Sequence, residues 1–344
     1  KLYIDGHIVH PEETLQFLPV KQDKNLLGYH SRMEEYYSDY CLVCDELLQV
    51  SHKNWNRLQK FTDTLFSYVG FPNKFVEMGL YLGNYRKTPF GVHVDGCGVF
   101  SFPVVGKKTF RIWKPEFAAK NPSLDRSLNY SKFNKHSEVM KAEPGDMTYW
   151  PSKAWHIAES SGEFSATWSL GVWVDQPHKE SVQLAMAPLV ATKLGGGGDE
   201  RVTKFEKLQT SGEITSLPEN YKITIQKLLK LSNSELCDAF MRQWAQLQSK
   251  NGFKNPPNSH FSEKLSPGAT IQLPMEQLIV WTKLKAIKKI LYAYQGRSVE
   301  IAPSKNFQKL VHDLNKSKRC KLATYLKGPT KKSDLKTLEL LLGV

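Results

Sequence analysis

Two histidines and one aspartate have the types and spacing of a metal-binding set. His93 and Asp95 are two residues apart, so on a strand both side chains leave the same face. His156 follows the strand-like run 147–150 and stands 63 residues after His93, which leaves room for several intervening strands. Two imidazoles and one carboxylate can hold one face of an iron(II) ion and leave the opposite positions open. The pattern therefore indicates oxygen chemistry at a single metal ion.

Short strands separated by turns are expected to position these ligands. Residues 99–105 form an apolar run suited to a buried strand, and 143–146 form a turn that leads towards His156. After Gly106 the chain alternates, so that Lys108 and Arg111 lie on opposite faces and only one of them can point inward. An isolated His-x-Asp pair is more often a surface turn or a satisfied polar pair. The combination of these features is what favours the metal site.

The combined motifs resemble those of the JmjC-type hydroxylases of the cupin group. The first half is the sequence of residues 91–95 followed by Gly-Lys-Lys at 106–108, and the second half runs from Gly145 to His156. The resemblance covers roughly residues 75–175. It implies a mainly β catalytic domain, a double-stranded β-helix of the jelly-roll type with flanking helices. It also implies iron(II) bound by the two histidines and the aspartate, with 2-oxoglutarate and dioxygen as co-substrates.

Lys108 is the candidate anchor for 2-oxoglutarate. It stands fifteen residues after His93. This is the offset of the lysine that binds the far carboxylate of 2-oxoglutarate in the asparaginyl hydroxylase of the hypoxia pathway, which it resembles here. The alternative is an ordinary solvated surface lysine. Lys107 and Arg111 are the other cations that could serve.

A hydroxyl group is also expected to contact that carboxylate, and here the chain departs from its relatives. Many of them have a threonine three residues before the first histidine, where this chain has Phe90. Many also have an asparagine six residues after it, where this chain has Val99. The remaining hydroxyl candidates are Tyr81, Tyr85 and Thr88, and the sequence leaves the choice open.

Three further residues are candidates for the wall of a substrate pocket. Cys97 follows the metal-binding pair closely, Trp155 immediately precedes His156, and Trp173 follows His156 by 17 residues. Packing in the core is the more common role for a cysteine or a tryptophan.

The chain is expected to have three parts. Residues 1–178 form the catalytic domain, with its core at 74–175, and 179–265 form a helical linker that could also mediate dimerisation. Residues 266–344 form a small α+β module. Its order of elements is similar to the winged-helix-like module at the C-terminus of bacterial ribosomal-protein arginine hydroxylases.

Several individual elements follow from periodicity and capping. Residues 54–69 repeat apolar side chains at helical spacing, and Ser232 begins a capping box with Glu235. A strand is expected at 40–47, a helix at 183–194 and a flexible break at Gly195–Gly198.

The C-terminal module is expected to begin with a helix at 277–293. A hairpin wing at 296–301 and helices at 306–315 and 335–342 follow it.

The positive charge of the chain is concentrated near its C-terminus. The 344 residues carry a formal net charge of +13. Residues 281–344 hold fifteen Lys and Arg against four Asp and Glu, a net of +11, so the rest of the chain contributes only +2. The basic module therefore favours recruitment of a partner, either nucleic acid or the ribosome, over a part in catalysis.

Composition argues against several other classes of protein. No run of ~18 apolar residues occurs, so no membrane span is expected. Cys41 and Cys44 form a single CxxC with no second pair, which does not favour a zinc site. An iron(II) site and unpaired cysteines suit a reducing cytoplasm. No signal peptide is visible, although the chain begins abruptly at Lys1 and could lack its native start.

The favoured function is hydroxylation of a side chain in a protein or peptide, with arginine as the first choice by resemblance. A peptide-tailoring hydroxylase whose basic module holds an acidic leader segment is a close variant. A demethylase acting on N-methyl-lysine could use the same metal site. A nucleic-acid-binding protein with an idle barrel is the alternative from another class.

Overall fold

The computed structural model describes residues 1–194, 217, 219–257, 264–274 and 277–344. The chain divides into two compact units. The first unit is Lys1–Asp175 with Gly252–Asn258, and the second is Gln176–Asn251 with Ser259–Val344. The glycine run expected as a flexible break, Gly195–Gly198, lies outside the described residues. Within the described residues, every helix is too short or too polar to cross a lipid bilayer.

The first unit is mainly β. Its described strands are β1 (Leu2–Ile4), β2 (His7–Ile8), β3 (Tyr40–Asp45), β4 (Phe75–Asn84), β5 (His93–Val94), β6 (Gly98–Val105), β7 (Lys108–Trp113), β8 (Glu138–Ala142), β9 (Thr148–Trp150), β10 (Trp155–Glu159) and β11 (Phe164–Trp173). Its described helices are α1 (Pro11–Thr14), α2 (Leu26–Glu34), α3 (His52–Val69) and α4 (Pro115–Ala119), with short 3₁₀ turns at Leu15–Phe17, Lys21–Asp23, Leu47–Val50, Pro122–Leu124 and Ser131–His136.

These strands form two antiparallel sheets. The larger sheet has the order β2-β1-β3-β4-β11-β6-β9, and the smaller has the order β5-β10-β7-β8. Strands distant in sequence are neighbours in both sheets, as in the double-stranded β-helix. The predicted mainly β fold with flanking helices is therefore confirmed.

The alternation along β4 and β11 separates the core from the functional side of the sheet. On β4, Val76 and Leu80 are buried in core clusters, while the odd-numbered Glu77 and Tyr81 line a cavity. The register pairs Tyr81 with Thr167 of β11, which lines the same cavity. Successive side chains of a strand leave opposite faces, so polar residues at every second position supply the cavity wall.

Helix α3 covers the apolar face of these strands. The predicted helix is confirmed, with Ser51 as its N-cap, and it ends before Gly70, which has a φ of +90°. Trp55 and Phe66 pack with Leu170 and neighbouring residues of the sheet. Burial of this amphipathic face anchors the helix against the strands that carry the cavity.

The second unit is α+β. Its described helices are α5 (His178–Leu194), α6 (Glu219–Leu229), α7 (Asn233–Ser249), α8 (Lys305–Asn315), α9 (Leu322–Tyr325) and α10 (Lys331–Leu342). Its described strands are β12 (Thr270–Ile271), β13 (Val280–Leu284), β14 (Lys289–Tyr294), β15 (Arg297–Ile301) and β16 (Cys320–Lys321). The predicted capping box is present at the start of α7, where Ser232 and Glu235 satisfy each other's backbone.

The helix predicted at 277–293 is wrong. This stretch forms β13 and β14, joined by a turn in which Lys288 has a φ of +55°. β-branched and aromatic residues such as Val280 and Tyr292 favour a strand. The central strand β14 is buried on both faces, in one cluster with Ala245 of α7 and in another with Phe307. A strand covered on both sides loses its alternation, so its sequence is easily taken for a helix.

Candidate metal centre

The two histidines of the motif are opposite each other in the smaller sheet. β5 pairs with β10 so that His93 is the direct register partner of His156, and Asp95 follows the end of β5. The imidazole centroids are 4.2 Å apart. One potential ligand atom from each of the three residues lies within 4.8 Å of the other two. The predicted metal-binding set is therefore assembled by strand pairing.

Each imidazole is oriented by its own backbone. Nδ1 of His93 lies 3.1 Å from the carbonyl oxygen of Gly91, and Nδ1 of His156 lies 3.1 Å from that of Ala154. A carbonyl only accepts, so Nδ1 carries the proton and Nε2 keeps a free lone pair. Both Nε2 atoms face the Asp95 carboxylate, at 3.9 Å for His93 and 3.4 Å for His156. Such support of the ring is typical of metal-binding histidines.

Burial keeps both imidazoles in the form that binds metal. Burial and the neighbouring His93 lower the pKa of His156 to about 3. Burial also lowers the pKa of His93, and it raises the pKa of Asp95 against the opposing effect of His93. A divalent cation would stabilise the charge of the partly buried Asp95 carboxylate beside two neutral imidazoles. The donor set thus fits a first-row divalent metal.

Lys108 is a buried cation that pairs with no acidic side chain of the described residues. Its side chain is at the start of β7 and is only 2% exposed. The ammonium donates to the hydroxyl of Tyr85 and lies 4.0 Å from the centroid of that ring. No carboxylate of a described residue lies within 4.0 Å of it. Burial lowers the pKa of Lys108 to about 8.

One cavity contains both the three-residue set and Lys108. Its empty volume is about 810 Å³, which includes open solvent at its mouth. The buried end holds Lys108, Tyr85 and Thr88, and the exposed end holds Asp45 and Glu77. The complete lining is Asp45, Glu46, Glu77, Met78, Gly79, Tyr81, Tyr85, Thr88, His93, Asp95, Cys97, Val99, Lys108, Phe110, Trp150, His156, Ala158, Thr167, Ser169, Gly171 and Trp173.

The structure brings the three hydroxyl candidates, Tyr81, Tyr85 and Thr88, into this cavity. Tyr85 contacts Lys108 directly. Thr88 is 3% exposed, and its Oγ1 lies 3.5 Å from the carbonyl oxygen of Ala158. Burial raises the pKa of Tyr81 and of Tyr85, so both phenols stay protonated and can donate. The choice among the three stays a prediction.

The alternative anchors are engaged elsewhere. Lys107 has a largely exposed side chain and lies 3.7 Å from Glu143. Arg111 forms an ion pair with Glu159 at 2.9 Å. Neither cation lines the cavity. Lys108 is the inward member of the alternation in β7.

Cys97 and Trp173 line the cavity, but Trp155 does not. The prediction that Trp155 lies in the pocket wall is therefore wrong. Trp155 precedes His156 on β10, so its side chain leaves the other face of the strand. It packs there against the core cluster that includes Val92 and Trp113.

Other polar residues of the cavity were missed by the sequence reasoning. Thr167 is 1% exposed and its Oγ1 has no hydrogen-bond partner in the described part of the chain. The same holds for the indole nitrogen of Trp150. Glu77 also lines the cavity. The alternation of β4 could have pointed to Glu77, once the side of the strand that faces the cavity was known.

Comparisons with known proteins support the same interpretation. Residues 48–180 match a family model described as the JmjC domain. This stretch is similar to the JmjC domain. The match includes the whole three-residue set and Lys108.

Ribosomal oxygenase 1 is a sequence relative of part of this chain. The human protein is 27% identical over 107 residues, which is 29% of this chain and 17% of that protein. The protein of Bos taurus is 27% identical over the same length, or 16% of that protein. The match thus spans only about a sixth of the length of these curated relatives.

A solved structure resembles the chain beyond the JmjC domain. It is YcfD, a ribosomal oxygenase from Escherichia coli, in complex with cobalt and 2-oxoglutarate. The TM-score is 0.52 at 14% identity, and the match covers 99% of this chain and 90% of that chain. At this identity the likeness shows the fold.

Proposed function

We propose that this chain is an iron(II)- and 2-oxoglutarate-dependent oxygenase that hydroxylates a side chain of a protein or peptide. The observation that carries the proposal is the presence of two features in one cavity. His93, Asp95 and His156 converge there. Lys108 is buried there and pairs with no acidic side chain of the described residues. A metal site alone would fit many reactions, whereas a buried ammonium beside it requires an anionic partner.

Three side chains would hold the metal, namely His93, Asp95 and His156. When bound, iron(II) supplies dioxygen activation coupled to the oxidative decarboxylation of 2-oxoglutarate to succinate. The protein supplies position and shielding. The two Nδ1 contacts fix the imidazole rings, and the buried walls of the cavity exclude water from its inner end.

Lys108 would pair with the far carboxylate of 2-oxoglutarate. Its ammonium is a compact charge that is already held by Tyr85, so little side-chain freedom is lost on binding. Tyr85, Thr88 and Thr167 offer hydroxyl groups near it in the same cavity. Tyr81, on β4 and four residues before Tyr85, also lines the cavity.

The mouth of the cavity favours a cationic substrate residue, and arginine is the first choice. Asp45, Glu46 and Glu77 line it, and Lys1 lies 3.9 Å from Asp45. Lys254 lies 3.1 Å from both Glu46 and Glu77, and the indole of Trp173 donates to Glu77 at 2.8 Å. These three carboxylates offer acceptors for the N–H groups of a guanidinium or an ammonium.

A ribosomal protein is the substrate that the relatives suggest, because the similar proteins are named ribosomal oxygenases. The cytoplasm is the proposed location, where the free cysteines of the chain and its iron(II) would stay reduced. A homodimer through α7, on which Phe240 and Met241 are each 39% exposed, stays a prediction.

The activity is tested with the iron-loaded full chain, 2-oxoglutarate and peptides that contain arginine, lysine or neither. We expect succinate, and an arginine peptide heavier by one oxygen atom. The His156→Ala variant should lose both products. His136→Ala, which removes an exposed histidine outside the cavity, should keep them.

Two other results would change the proposal. Release of formaldehyde from a methyl-lysine peptide would indicate the demethylase instead. Equal succinate from the wild type and His156→Ala would contradict the assignment of the metal site.

The role of the cavity mouth is tested by Glu77→Gln. Loss of this charge should raise KM for an arginine peptide about 10-fold, roughly the value of one charge-assisted contact. KM for 2-oxoglutarate should not change, because Lys108 and not Glu77 is the proposed partner of its far carboxylate. Glu163→Gln removes an exposed carboxylate outside the cavity and is the matched control. If Glu77→Gln raised KM for a neutral peptide as much as for the arginine peptide, Glu77 would not select for the cationic residue.

A further inference from the structure

The second unit has a strand whose outer edge is open. The three-stranded sheet has the order β13-β14-β15, and β13 pairs only with β14 in the part of the chain that the structure describes. In an antiparallel edge strand, alternate residues direct both N–H and C=O away from the sheet. Residues 280–284 thus present unpaired peptide groups, which is the arrangement that accepts an added strand.

An exposed tryptophan lies on this edge. Trp281 is the register partner of Tyr292, which is buried in the core cluster of the module at 1% exposure. Trp281 itself is 54% exposed. The opposite face of β13 is covered, since Leu284 packs in the cluster that contains Ala245. An added strand would bury Trp281 as a continuation of the existing core.

The same hairpin is strongly basic. Four exposed lysines lie on β13, on its turn and at the start of β14, and none has a carboxylate within 4.0 Å among the described residues. They are Lys283, Lys285, Lys288 and Lys289. Lys283 is two residues from Trp281 on β13, so both side chains leave the same face.

The four acidic residues in the range 281–344 have partners other than these lysines. All four are bound within the second unit: Glu300 by Arg242, Asp313 by Lys318, Asp334 by Ser304, and Glu339 by the backbone N–H of Leu265. The hairpin therefore presents positive charge that is not neutralised locally.

We propose that β13 is a docking edge for an extended acidic peptide, which adds to the sheet as a fourth strand. Backbone pairing would supply affinity, an apolar side chain would cover Trp281, and acidic side chains would meet the lysines. A second copy of the chain is disfavoured, because its edge carries the same four lysines. The proposal goes beyond the oxygenase function and does not depend on it.

The test selects binders from a library of random twelve-residue peptides displayed on phage, with the full chain as bait. We expect enriched sequences in which acidic residues alternate with apolar ones. A selected peptide that is N-methylated at every second residue should bind at least 10-fold more weakly, because it cannot pair along the strand.

Two variants and a control locate the site. Trp281→Ala and the double variant Lys283→Glu, Lys285→Glu should each weaken binding about 10-fold or more. Lys331→Glu with Lys332→Glu makes the same charge change at the start of α10 and should have little effect. Circular dichroism and thermal unfolding verify that each variant is folded.

Three results would overturn the proposal. One is a library that enriches no sequence on the wild type above the level on Trp281→Ala. Another is full binding of the N-methylated peptide. The third is displacement of the bound peptide by a single-stranded oligonucleotide at concentrations at which more of the same acidic peptide does not displace it. That result would make the hairpin a nucleic-acid surface.

Discussion

At Lys108, the requirements of stability and of function oppose each other. It is fully buried, and an ammonium without an anion costs free energy in the unliganded protein. We expect Lys108→Met to raise the free energy of unfolding by roughly 1–3 kcal/mol. The same change should raise KM for 2-oxoglutarate on the order of 100-fold, because the far carboxylate loses its counter-charge. Chemical denaturation and steady-state kinetics measure the two effects.

The pH dependence follows from the direction of the shift. Burial lowers the pKa of Lys108 from 10.5 to about 8, so the folded protein releases this proton before the unfolded chain does. Stability should therefore rise between pH 8 and 10.5, where only the unfolded chain still binds the proton. KM for 2-oxoglutarate should rise over the same range, since the anchor becomes neutral. The Lys108→Met variant should show neither trend, and Lys107→Met is the control.

At the residue scale, the metal-binding set was predictable because its spacing is tied to strand geometry. His93 and Asp95 had to share a face if the segment was extended. The anchor Lys108 was identified by its offset within a family resemblance, and alternation in β7 agreed with it. Thr167 was not predictable in the same way, because a threonine in a strand is common and only the folded cavity gives it a role.

At the scale of elements, one short segment has a larger structural role than its sequence suggests. Residues 252–257 belong to the first unit although they follow α7 of the second. The backbone of Val76 on β4 hydrogen-bonds with both Gly252 and Lys254. Phe253 is 1% exposed and its ring lies 6.0 Å from that of Trp55. The segment thus carries Lys254 to the cavity mouth.

We expect Phe253→Ala to lower the free energy of unfolding of the first unit by about 3 kcal/mol, as for other buried phenylalanines. It should also raise KM for an arginine peptide, because Lys254 would no longer hold Glu46 and Glu77 in place. Phe253→Leu keeps most of the apolar volume and should retain most of both properties. Denaturant unfolding and kinetics check this. Unchanged stability of the alanine variant would contradict the anchoring role.

The elements that were predicted correctly are those with a strong local signal. Helix α3 has a regular apolar stripe, and α7 begins with a capping box that its own sequence encodes. The stretch 277–293 has no such signal, since β14 is apolar on both faces. Its identity as a strand depends on partners on either side, which are distant in sequence.

At the scale of the whole molecule, charge and chemistry are divided between the two units. The surplus of basic residues near the C-terminus was evident from the sequence, and residues 281–344 lie wholly in the second unit. The acidic cavity mouth was not evident, because its carboxylates come from three places: Asp45 at the end of β3, Glu46 directly after it, and Glu77 on β4. Contacts of that kind are fixed only by the folded sheet.

Metal and co-substrate should stabilise one unit selectively. Among the described residues, His93, Asp95 and His156 are the only group of three His, Cys, Asp or Glu that could hold a metal ion, and it lies in the first unit. A ligand at 100 times its Kd stabilises the state that binds it by about 2.7 kcal/mol. Manganese(II) with an unreactive 2-oxoglutarate mimic should therefore slow hydrogen exchange in β4, β10 and β11 and leave residues 277–344 unchanged.

Exchange followed by mass spectrometry, with and without the two ligands, separates this effect from general stabilisation. His156→Ala should abolish the protection, and His136→Ala should keep it. Protection of equal size in both units would mean that the ligands act on the molecule as a whole. The Lys108→Met variant keeps all three metal-binding residues. If it loses protection from hydrogen exchange although metal is present, the protection due to the 2-oxoglutarate mimic depends on the buried ammonium.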